Sequence, residues 1–296
     1  MGEFTEVSSP EAGSQQFEIR PLPGTGAEII GLDLSHKLNT ADFRRIHQAH
    51  LHYHLLVFRQ QTLTPEQQIA FSRRFGPLQI HVLKQFLLDG YPEILIVSNI
   101  VRDGKPVGLG DAGKYWHSDL SYKQIPSLGS MLYGKILPAV GGDTRFANMH
   151  KAWETLPEKL RRKIEGLRAV HSYTATYSKP RFGSQWRPVL TEKQLSEVKA
   201  VSHPVIRTHP ETGHKALFVS EGFTTHIEGL AEDESRDILQ ALYEHSIREE
   251  NIYTHCWQAG DLLFWDNRSL IHLATGCPED CPRQLYRTTI EGDIPF

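Results

Sequence analysis

The sequence predicts a mainly β fold, either a β-sandwich or a jelly-roll barrel, with helices packed on its outside. Many short apolar runs broken by Gly, Pro and Asp follow Tyr91, and closely spaced short strands are typical of such folds. Helical patterns are concentrated near the start and in two later stretches, as expected for helices that flank a β core. We expect a disordered tail over residues 1–16 and a single domain with helical inserts over residues 17–296.

The N-terminal part of the predicted domain indicates a strand, a helix and a second strand. Asn39 or Thr40 can cap a helix that ends near His54. Apolar runs on either side of that helix predict strands at 27–34 and 55–58.

A second helix is expected to begin at a capping box. Thr64 can act as N-cap, Pro65 follows at the first helical position, and Gln67 lies three residues after the cap. We expect this helix to end near Gly76, and we expect a long loop or lid at 177–202, where periodicity is weak. The other predicted elements are strands at 94–97, 130–137, 144–147, 205–208, 216–219, 253–257, 261–265, 270–273 and 285–291, and helices at 151–166 and 233–248.

Composition argues against several classes of function. Lys and Arg number 32 against 35 Asp and Glu, a net charge of −3, and no basic block is present to neutralise nucleic-acid phosphates. No run of about 18 uncharged apolar residues predicts a membrane span, and the polar, acidic N-terminus resembles neither a secretory signal nor a transit peptide. The odd count of three cysteines makes no disulfide framework. We therefore expect a cytoplasmic protein without nucleic-acid or membrane partners.

Three residues could form a metal site. His117 and Asp119 are two apart, so in a strand they would project from the same face. His272 lies in an apolar run, where an uncompensated imidazole would be costly to bury. Two histidines and one carboxylate form the facial triad of non-haem Fe(II) oxygenases, which leaves positions for a chelating co-substrate and O2. Taken singly, the first two could be a surface pair and His272 a hydrogen-bonded core histidine.

Two arginines could hold the co-substrate. A 2-oxo acid can supply the two electrons that such chemistry needs, and its remote carboxylate must then be bound. Arg283 and Arg287 would lie on one face of the predicted C-terminal strand, and a guanidinium donates two parallel hydrogen bonds to a carboxylate or sulfonate. Taken alone, both could equally be surface arginines.

Together these residues resemble the TauD/TfdA family of Fe(II)- and 2-oxoglutarate-dependent dioxygenases. The resemblance rests on WHSD at 116–119, GGDT at 141–144, THPETGHKALFVSEGFTT at 208–225, WDNRSLIH at 265–272, and the two arginines. It implies a double-stranded β-helix, the clavaminate synthase-like jelly roll, that uses Fe(II), 2-oxoglutarate and O2. The implied roles are iron ligands at His117, Asp119 and His272, and co-substrate contacts at Thr144, Arg283 and Arg287.

Within the family, the FVSEGFTT and closing GDIPF segments look closest to the taurine dioxygenase branch. The implied reaction hydroxylates a small organosulfonate such as taurine, giving sulfite, an aldehyde, succinate and CO2. The chain departs from that branch at Lys84, where the branch carries Tyr, and at Gly113, where it carries Asn. The implied substrate contacts are His81, Lys84, Gly113, Leu120, Tyr177, Phe223 and Arg287.

Other interpretations stay open at this point. The two departures favour the same chemistry on an alkyl sulfate ester or an aryloxyalkanoate. A non-catalytic metal-binding jelly roll would bind metal without 2-oxoglutarate. A zinc hydrolase would use the histidines at 47, 50 and 54, which are spaced three and four apart on a predicted helix. The family resemblance also implies a homodimer or homotetramer.

Overall fold

The computed structural model describes residues 14–110, 113–177 and 190–296. The predicted tail therefore lies outside the described residues, except for its last three. Of these, the Ser14 hydroxyl and the Gln15 N–H both donate to the Asp42 carboxylate at 2.9 Å.

Strands are the main elements of the structure. In chain order they are β1 (Glu18–Pro21), β2 (Ala27–Ile30), β3 (Leu55–Phe58), β4 (Leu87–Leu88), β5 (Tyr91–Ser98), β6 (Val101–Arg102), β7 (Lys105–Pro106), β8 (Ser127–Ile136), β9 (Thr144–Asn148), β10 (Arg168–His171), β11 (Val201–Pro204), β12 (Ile206–Thr208), β13 (Lys215–Leu217), β14 (Thr224–Ile227), β15 (Ile252–His255), β16 (Leu262–Asp266), β17 (Leu270–Ala274) and β18 (Gln284–Glu291).

Seven α-helices lie between these strands in the described ranges. They are α1 (Thr40–Tyr53), α2 (Pro65–Ser72), α3 (Met149–Glu154), α4 (Glu158–Ile164), α5 (Tyr173–Tyr177), α6 (Glu192–Glu197) and α7 (Glu232–Ser246), with short 3-10 turns at Lys84–Phe86 and Glu249–Asn251. None of the described helices has the length and apolar character required to cross a membrane.

Two sheets face each other across a shared core. The larger sheet has the strand order β1-β2-β3-β16-β8-β18-β5-β4, and the smaller one has the order β15-β9-β17. Phe146 on β9 and Leu270 on β17 pack with Trp265 and Leu263 of β16 in the core between them. Neighbouring strands are antiparallel apart from β2 and β3, so the predicted mainly β jelly roll is confirmed.

Helices cover the outer faces of both sheets, as predicted. Ile46 of α1 and Phe71 of α2 pack against the larger sheet. Ala152 of α3 and Leu242 of α7 belong to a second core cluster beside the smaller sheet. The metal-site candidates therefore lie between two sheets, and helices pack on the outer face of each sheet.

Most predicted elements are present, with shifted ends. The capping box at Thr64 forms as expected, but α2 ends at Ser72 rather than near Gly76. The strand predicted at 27–34 stops at Ile30, because Gly31 follows with a φ of +85°.

Two sequence predictions were wrong. The single helix expected at 151–166 is two helices, since Pro157 separates α3 from α4 and a proline breaks the helical hydrogen-bond pattern. The loop expected at 177–202 lies partly outside the described residues, but its later part contains α6 and the start of β11. A capping box between Thr191 and Gln194 begins α6, and it has the same sequence pattern as the one at Thr64.

Candidate metal centre and adjoining cavities

His117, Asp119 and His272 converge at one buried point. One ligand atom from each lies within 4.8 Å of the others. His117 Nε2 is 3.6 Å from Asp119 Oδ1, and His272 Nε2 is 3.9 Å from Asp119 Oδ2. Among the described residues, these three form the one group of His, Cys, Asp or Glu side chains close enough to hold an ion.

The backbone joins the two ligand segments directly. His117 and His272 form an isolated antiparallel bridge, with N–O distances of 3.1 Å from His117 N and 2.8 Å from His272 N. The expected strand through both His117 and Asp119 is absent, because Asp119 already lies in a turn and Leu120 has a φ of +58°. The carboxylate and the imidazole nevertheless meet, so the site depends on this turn rather than on strand alternation.

The proton on His117 can be assigned from its partner. Its Nδ1 lies 2.8 Å from the Tyr115 carbonyl oxygen, which can only accept, so Nδ1 donates, and Nε2 is the nitrogen that faces Asp119. Burial and the neighbouring His117 hold the pKa of His272 well below its usual range. The Nε2 atoms of both imidazoles thus face the Asp119 carboxylate.

The Asp119 carboxylate is bound at both oxygens. Ser130 Oγ donates to Oδ2 at 2.7 Å, and Arg287 Nη1 donates to Oδ1 at 3.0 Å. Burial alone would raise the pKa of Asp119, but Arg287 and the two histidines hold it well below its usual range. The carboxylate is therefore ionised, as a metal ligand must be.

The donor set fits a ferrous ion. Ligand atoms at about 2.0–2.2 Å on adjacent corners of an octahedron lie about 3 Å apart, so the separations of 3.6 and 3.9 Å found here would have to close by less than about 1 Å around a bound ion. His272 Nδ1 is buried and has no hydrogen-bond partner among the described residues.

A cavity beside the triad brings together the residues expected to contact the co-substrate. Its walls include Thr144, Arg283 and Arg287 together with His117 and His272. Arg283 is only 9 % exposed, its Nε has no hydrogen-bond partner in the described part of the chain, and burial lowers its pKa to about 10. A buried, charged donor facing a cavity is a suitable partner for a carboxylate.

Two neighbours shape this cavity at Thr144 and Arg283. Trp257 Nε1 donates to Thr144 Oγ1 at 3.1 Å, which leaves the threonine hydroxyl hydrogen available to another acceptor. A side chain at Gly142 would come within 3.2 Å of Arg283 Nε, so the glycine makes room for the guanidinium.

Gly113 also lies at the metal centre rather than at a distance from it. Its φ is +73°, and a Cβ there would lie 2.9 Å from His117 Cε1. The asparagine of the taurine branch could not occupy this position without moving the imidazole.

A second cavity lies on the other side of Arg287. His81 and Leu120, both expected substrate contacts, line it, as do Tyr122 and Lys123. Lys84 is exposed and is not among its lining residues, because Leu83 and Phe86 of the same short turn point inward. Among the described residues, the lysine that lines this cavity is Lys123.

Buried aromatic rings connect this cavity to the metal centre. Phe223, an expected substrate contact, lies 5.8 Å from the His117 ring, and Tyr122 lies 4.9 Å from Phe223. Tyr115 and Tyr173 complete the group, and burial together with Tyr173 raises the pKa of Tyr122 well above its usual range. Tyr177 ends α5, but its side chain lies outside the described residues.

Sequence reasoning missed Tyr122, Lys123 and Ser130. The first two directly follow the HxD motif along the chain, so proximity to the ligands was the available signal. Ser130 lies eleven residues after Asp119 on β8, and no local pattern marks its contact with the carboxylate.

The histidines on α1 do not form a metal site. His47 pairs with Glu211 at 2.9 Å, and His50 lies 3.5 Å from Asp266. Asp266 also accepts hydrogen bonds from His209 and Arg268 at 3.0 and 2.7 Å. His50, His209 and Arg268 form a buried network around Asp266, while His47 and Glu211 are partly exposed. The zinc hydrolase interpretation therefore has no site on this helix.

Comparison with known proteins identifies the family. Residues 18–289 match the family described as taurine catabolism dioxygenase TauD, TfdA family. The chain belongs to the TauD/TfdA family. The predicted resemblance and enzyme class are thereby confirmed.

Named TauD/TfdA relatives cover almost the whole chain. The alpha-ketoglutarate-dependent 2,4-dichlorophenoxyacetate dioxygenase of Cupriavidus pinatubonensis is 37 % identical, over 93 % of this chain and 96 % of that protein. The (S)-phenoxypropionate/alpha-ketoglutarate-dioxygenase of Sphingobium herbicidovorans is 36 % identical, over 95 % and 96 %. A solved taurine dioxygenase from Burkholderia xenovorans has a TM-score of 0.77 at 35 % identity, covering 94 % of this chain and 90 % of that one.

Proposed function

We propose that this chain is an Fe(II)- and 2-oxoglutarate-dependent dioxygenase that oxidises an aryloxyalkanoate, an anionic acid with an aromatic body. The observation that carries the substrate class is a cavity lined by Arg287, Lys123 and Tyr122. Tyr122 belongs to a buried aromatic cluster with Tyr115, Tyr173 and Phe223. Cations suit the carboxylate, and the rings suit an aryl group.

The same cavity is a poorer match for taurine. Glu93 is the one carboxylate among the described lining residues, and it is already ion-paired with Arg73. An ammonium group placed there would lack a dedicated acceptor and would lie near Lys123 and Arg287. Taurine, which the sequence favoured, and alkyl sulfate esters are therefore the alternatives that the experiment must separate.

The proposed co-substrate site uses Arg283 and Thr144. The guanidinium and the threonine hydroxyl would hold the distal carboxylate of 2-oxoglutarate, while His117, Asp119 and His272 would hold Fe(II). The bound ion would supply the coordination positions at which 2-oxoglutarate and O2 react, yielding succinate and CO2 and adding one oxygen atom to a substrate C–H bond.

The chain's own residues would orient the substrate and exclude water. Arg287 lies between the co-substrate cavity and the substrate cavity, so it would bring the acid's carboxylate close to the metal ligands. Phe223 and Tyr122 would pack on the aryl ring. Hydroxylation of the carbon beside the ether oxygen gives a hemiacetal, whose hydroxyl proton passes to the departing phenolate oxygen as the carbon–oxygen bond breaks. An aryloxyacetate would thus give a phenol and glyoxylate.

A substrate panel tests this proposal. The protein with Fe(II) and 2-oxoglutarate is supplied in turn with 2,4-dichlorophenoxyacetate, phenoxypropionate, hexyl sulfate and taurine, and succinate is measured. We expect an aryloxy acid to give the largest increase over the substrate-free rate, at least tenfold above taurine. Only that class has an aryl ring that can pack on Phe223 and Tyr122.

Controls separate the reaction class from the substrate. Omitting 2-oxoglutarate should abolish product formation with every acid. Faster succinate release with taurine or hexyl sulfate than with either aryloxy acid would overturn the substrate assignment. Failure to bind Fe(II) or 2-oxoglutarate would overturn the reaction class and favour a non-catalytic metal-binding protein.

A further inference from the structure

We propose that Ser130 and Asn267 are positioning residues that fix the orientation of the Asp119 carboxylate before the metal binds. The inference rests on the metal centre of the proposed function but not on the identity of the prime substrate. Ser130, Asn267 and Asp119 are 0 %, 1 % and 4 % exposed, so solvent does not compete for these contacts.

The orientation of the Asn267 amide follows from its donors. Trp265 Nε1 lies 2.9 Å and the Asp119 backbone N 3.2 Å from one amide atom. Both groups can only donate, so that atom is the carbonyl oxygen Oδ1. The amide nitrogen Nδ2 therefore faces Ser127 Oγ at 2.8 Å and Ser130 Oγ at 3.4 Å.

This orientation determines where the Ser130 hydrogen points. A hydroxyl has one hydrogen and two lone pairs. Because Asn267 Nδ2 donates to Ser130 Oγ, the serine is left to donate its hydrogen to Asp119 Oδ2, at 2.7 Å. The chain of donors thus runs from Asn267 through Ser130 to a single oxygen of the metal ligand.

The other oxygen is held from the opposite side. Arg287 donates to Oδ1 at 3.0 Å, so Arg287 and Ser130 together resist rotation of the carboxylate. Without Ser130, one oxygen would lose its anchor and the carboxylate would sample orientations in which its lone pairs miss the ion. Hydrogen-bond partners of metal ligands typically change metal affinity by about 10–100-fold when removed.

Ser127 provides a matched control on the same strand. It also accepts from Asn267, but its own hydroxyl donates to the Asp119 backbone carbonyl at 3.0 Å rather than to the carboxylate. It is as buried as Ser130, at 1 % exposure. Ser127→Ala should therefore disturb the turn without freeing the carboxylate.

The test is anaerobic titration with Co(II), followed by the visible absorption of the bound ion, on wild type, Ser130→Ala and Ser127→Ala. We expect Ser130→Ala to weaken Co(II) binding by about 10–100-fold and to alter the absorption bands. Ser127→Ala should stay within about twofold of wild type. Thermal unfolding of the metal-free proteins reports how much each substitution destabilises the fold, independently of affinity.

Ser130→Cys covers the case in which Ser130→Ala does not fold, since cysteine keeps the approximate size but is a weak donor. It should bind Co(II) more weakly than wild type. Unchanged affinity in either Ser130 variant, or an equal loss in Ser127→Ala, would overturn the inference. Absence of Co(II) binding by the wild type would instead count against the metal centre itself.

Discussion

Gly113 packs against the imidazole of the candidate metal ligand His117. Its φ of +73° is unfavourable for any residue with a Cβ, and that Cβ would lie 2.9 Å from His117 Cε1. Two separate costs therefore meet at this position, one from backbone strain and one from the displaced imidazole.

We expect Gly113→Ala to weaken metal binding by about tenfold or more, because His117 must move away from Asp119 and His272. The measurement is Co(II) affinity, with Gly104→Ala as control. Gly104 has a φ of +72°, but a Cβ at that position would meet nothing within 4 Å. Both variants should lose about 1–2 kcal/mol of stability from the strained φ, but only the first should lose metal. Equal metal affinity in the two variants would contradict this account.

The metal ligands and both arginines could be identified from sequence because their residue types and spacing carry the chemistry. That Lys123 rather than Lys84 lines the second cavity could not be predicted from the sequence. Lys84 and Lys123 are both near expected contacts in sequence, and only the inward packing of Leu83 and Phe86 turns Lys84 to solvent. Ser130 was also invisible, since its contact with Asp119 joins a strand to a turn through tertiary packing.

At the scale of elements, the turn between β16 and β17 links the buried network to the metal centre. Asp266 accepts from the Arg268 backbone N–H and from Nη2, at 2.8 and 2.7 Å. The next residue, Asn267, donates to the serines around Asp119. Arg268 is 3 % exposed, so its charge depends on Asp266 and Glu211 for compensation.

Asp266→Asn should lower the free energy of unfolding by about 3 kcal/mol, because removing one partner of a buried ion pair leaves the other charge poorly compensated. Urea unfolding of the metal-free protein measures this. Glu158→Gln is the exposed counterpart, since Glu158 pairs with Arg162 on α4 with side chains that are 63 % and 77 % exposed. That variant should change stability by less than about 0.5 kcal/mol. A similarly small change for Asp266→Asn would show that the ion pairs around Asp266 contribute little to the free energy of unfolding.

The existence of an element was easier to predict than its ends. The capping box at Thr64 and the apolar runs of β3 and β16 are local signals, and the structure follows them. Pro157 is also a local signal, and in the structure it prevails over the helical pattern on either side of it. Strands β10 and β14 were missed because their burial is set by partners far along the chain.

Across the whole molecule, buried histidines make stability depend on pH. Burial lowers the pKa of His50, His54 and His171 to about 3, and that of His150 and His203 to about 4. These groups take up protons in the unfolded chain near pH 6.5 but stay neutral in the folded one. The contribution of these histidines to the free energy of unfolding is therefore complete above pH 6.5, and it is lost as the pH drops towards 4.

We expect the free energy of unfolding to decrease steadily between pH 7 and pH 5. Each fully titrating histidine contributes about 1.4 kcal/mol per pH unit, so two of the five suffice for about 2.7 kcal/mol per unit. Urea unfolding at half-unit steps measures the slope. The carboxylates with lowered pKa, such as Asp119 and Asp266, titrate at more acidic pH, so they do not contribute to the slope between pH 7 and pH 5. A flat profile from pH 7 to pH 5 would exclude the histidines as the cause.

The reciprocal backbone hydrogen bonds between His117 and His272 bear on how the centre can be studied. The two ligand segments are fastened to each other by peptide groups, not by the ion alone. The positions of the two histidines are therefore set by the polypeptide before a cation binds. Ions that air oxidises less readily than Fe(II), such as Co(II) or Mn(II), should accordingly take up the same arrangement and report the geometry of the proposed ferrous site.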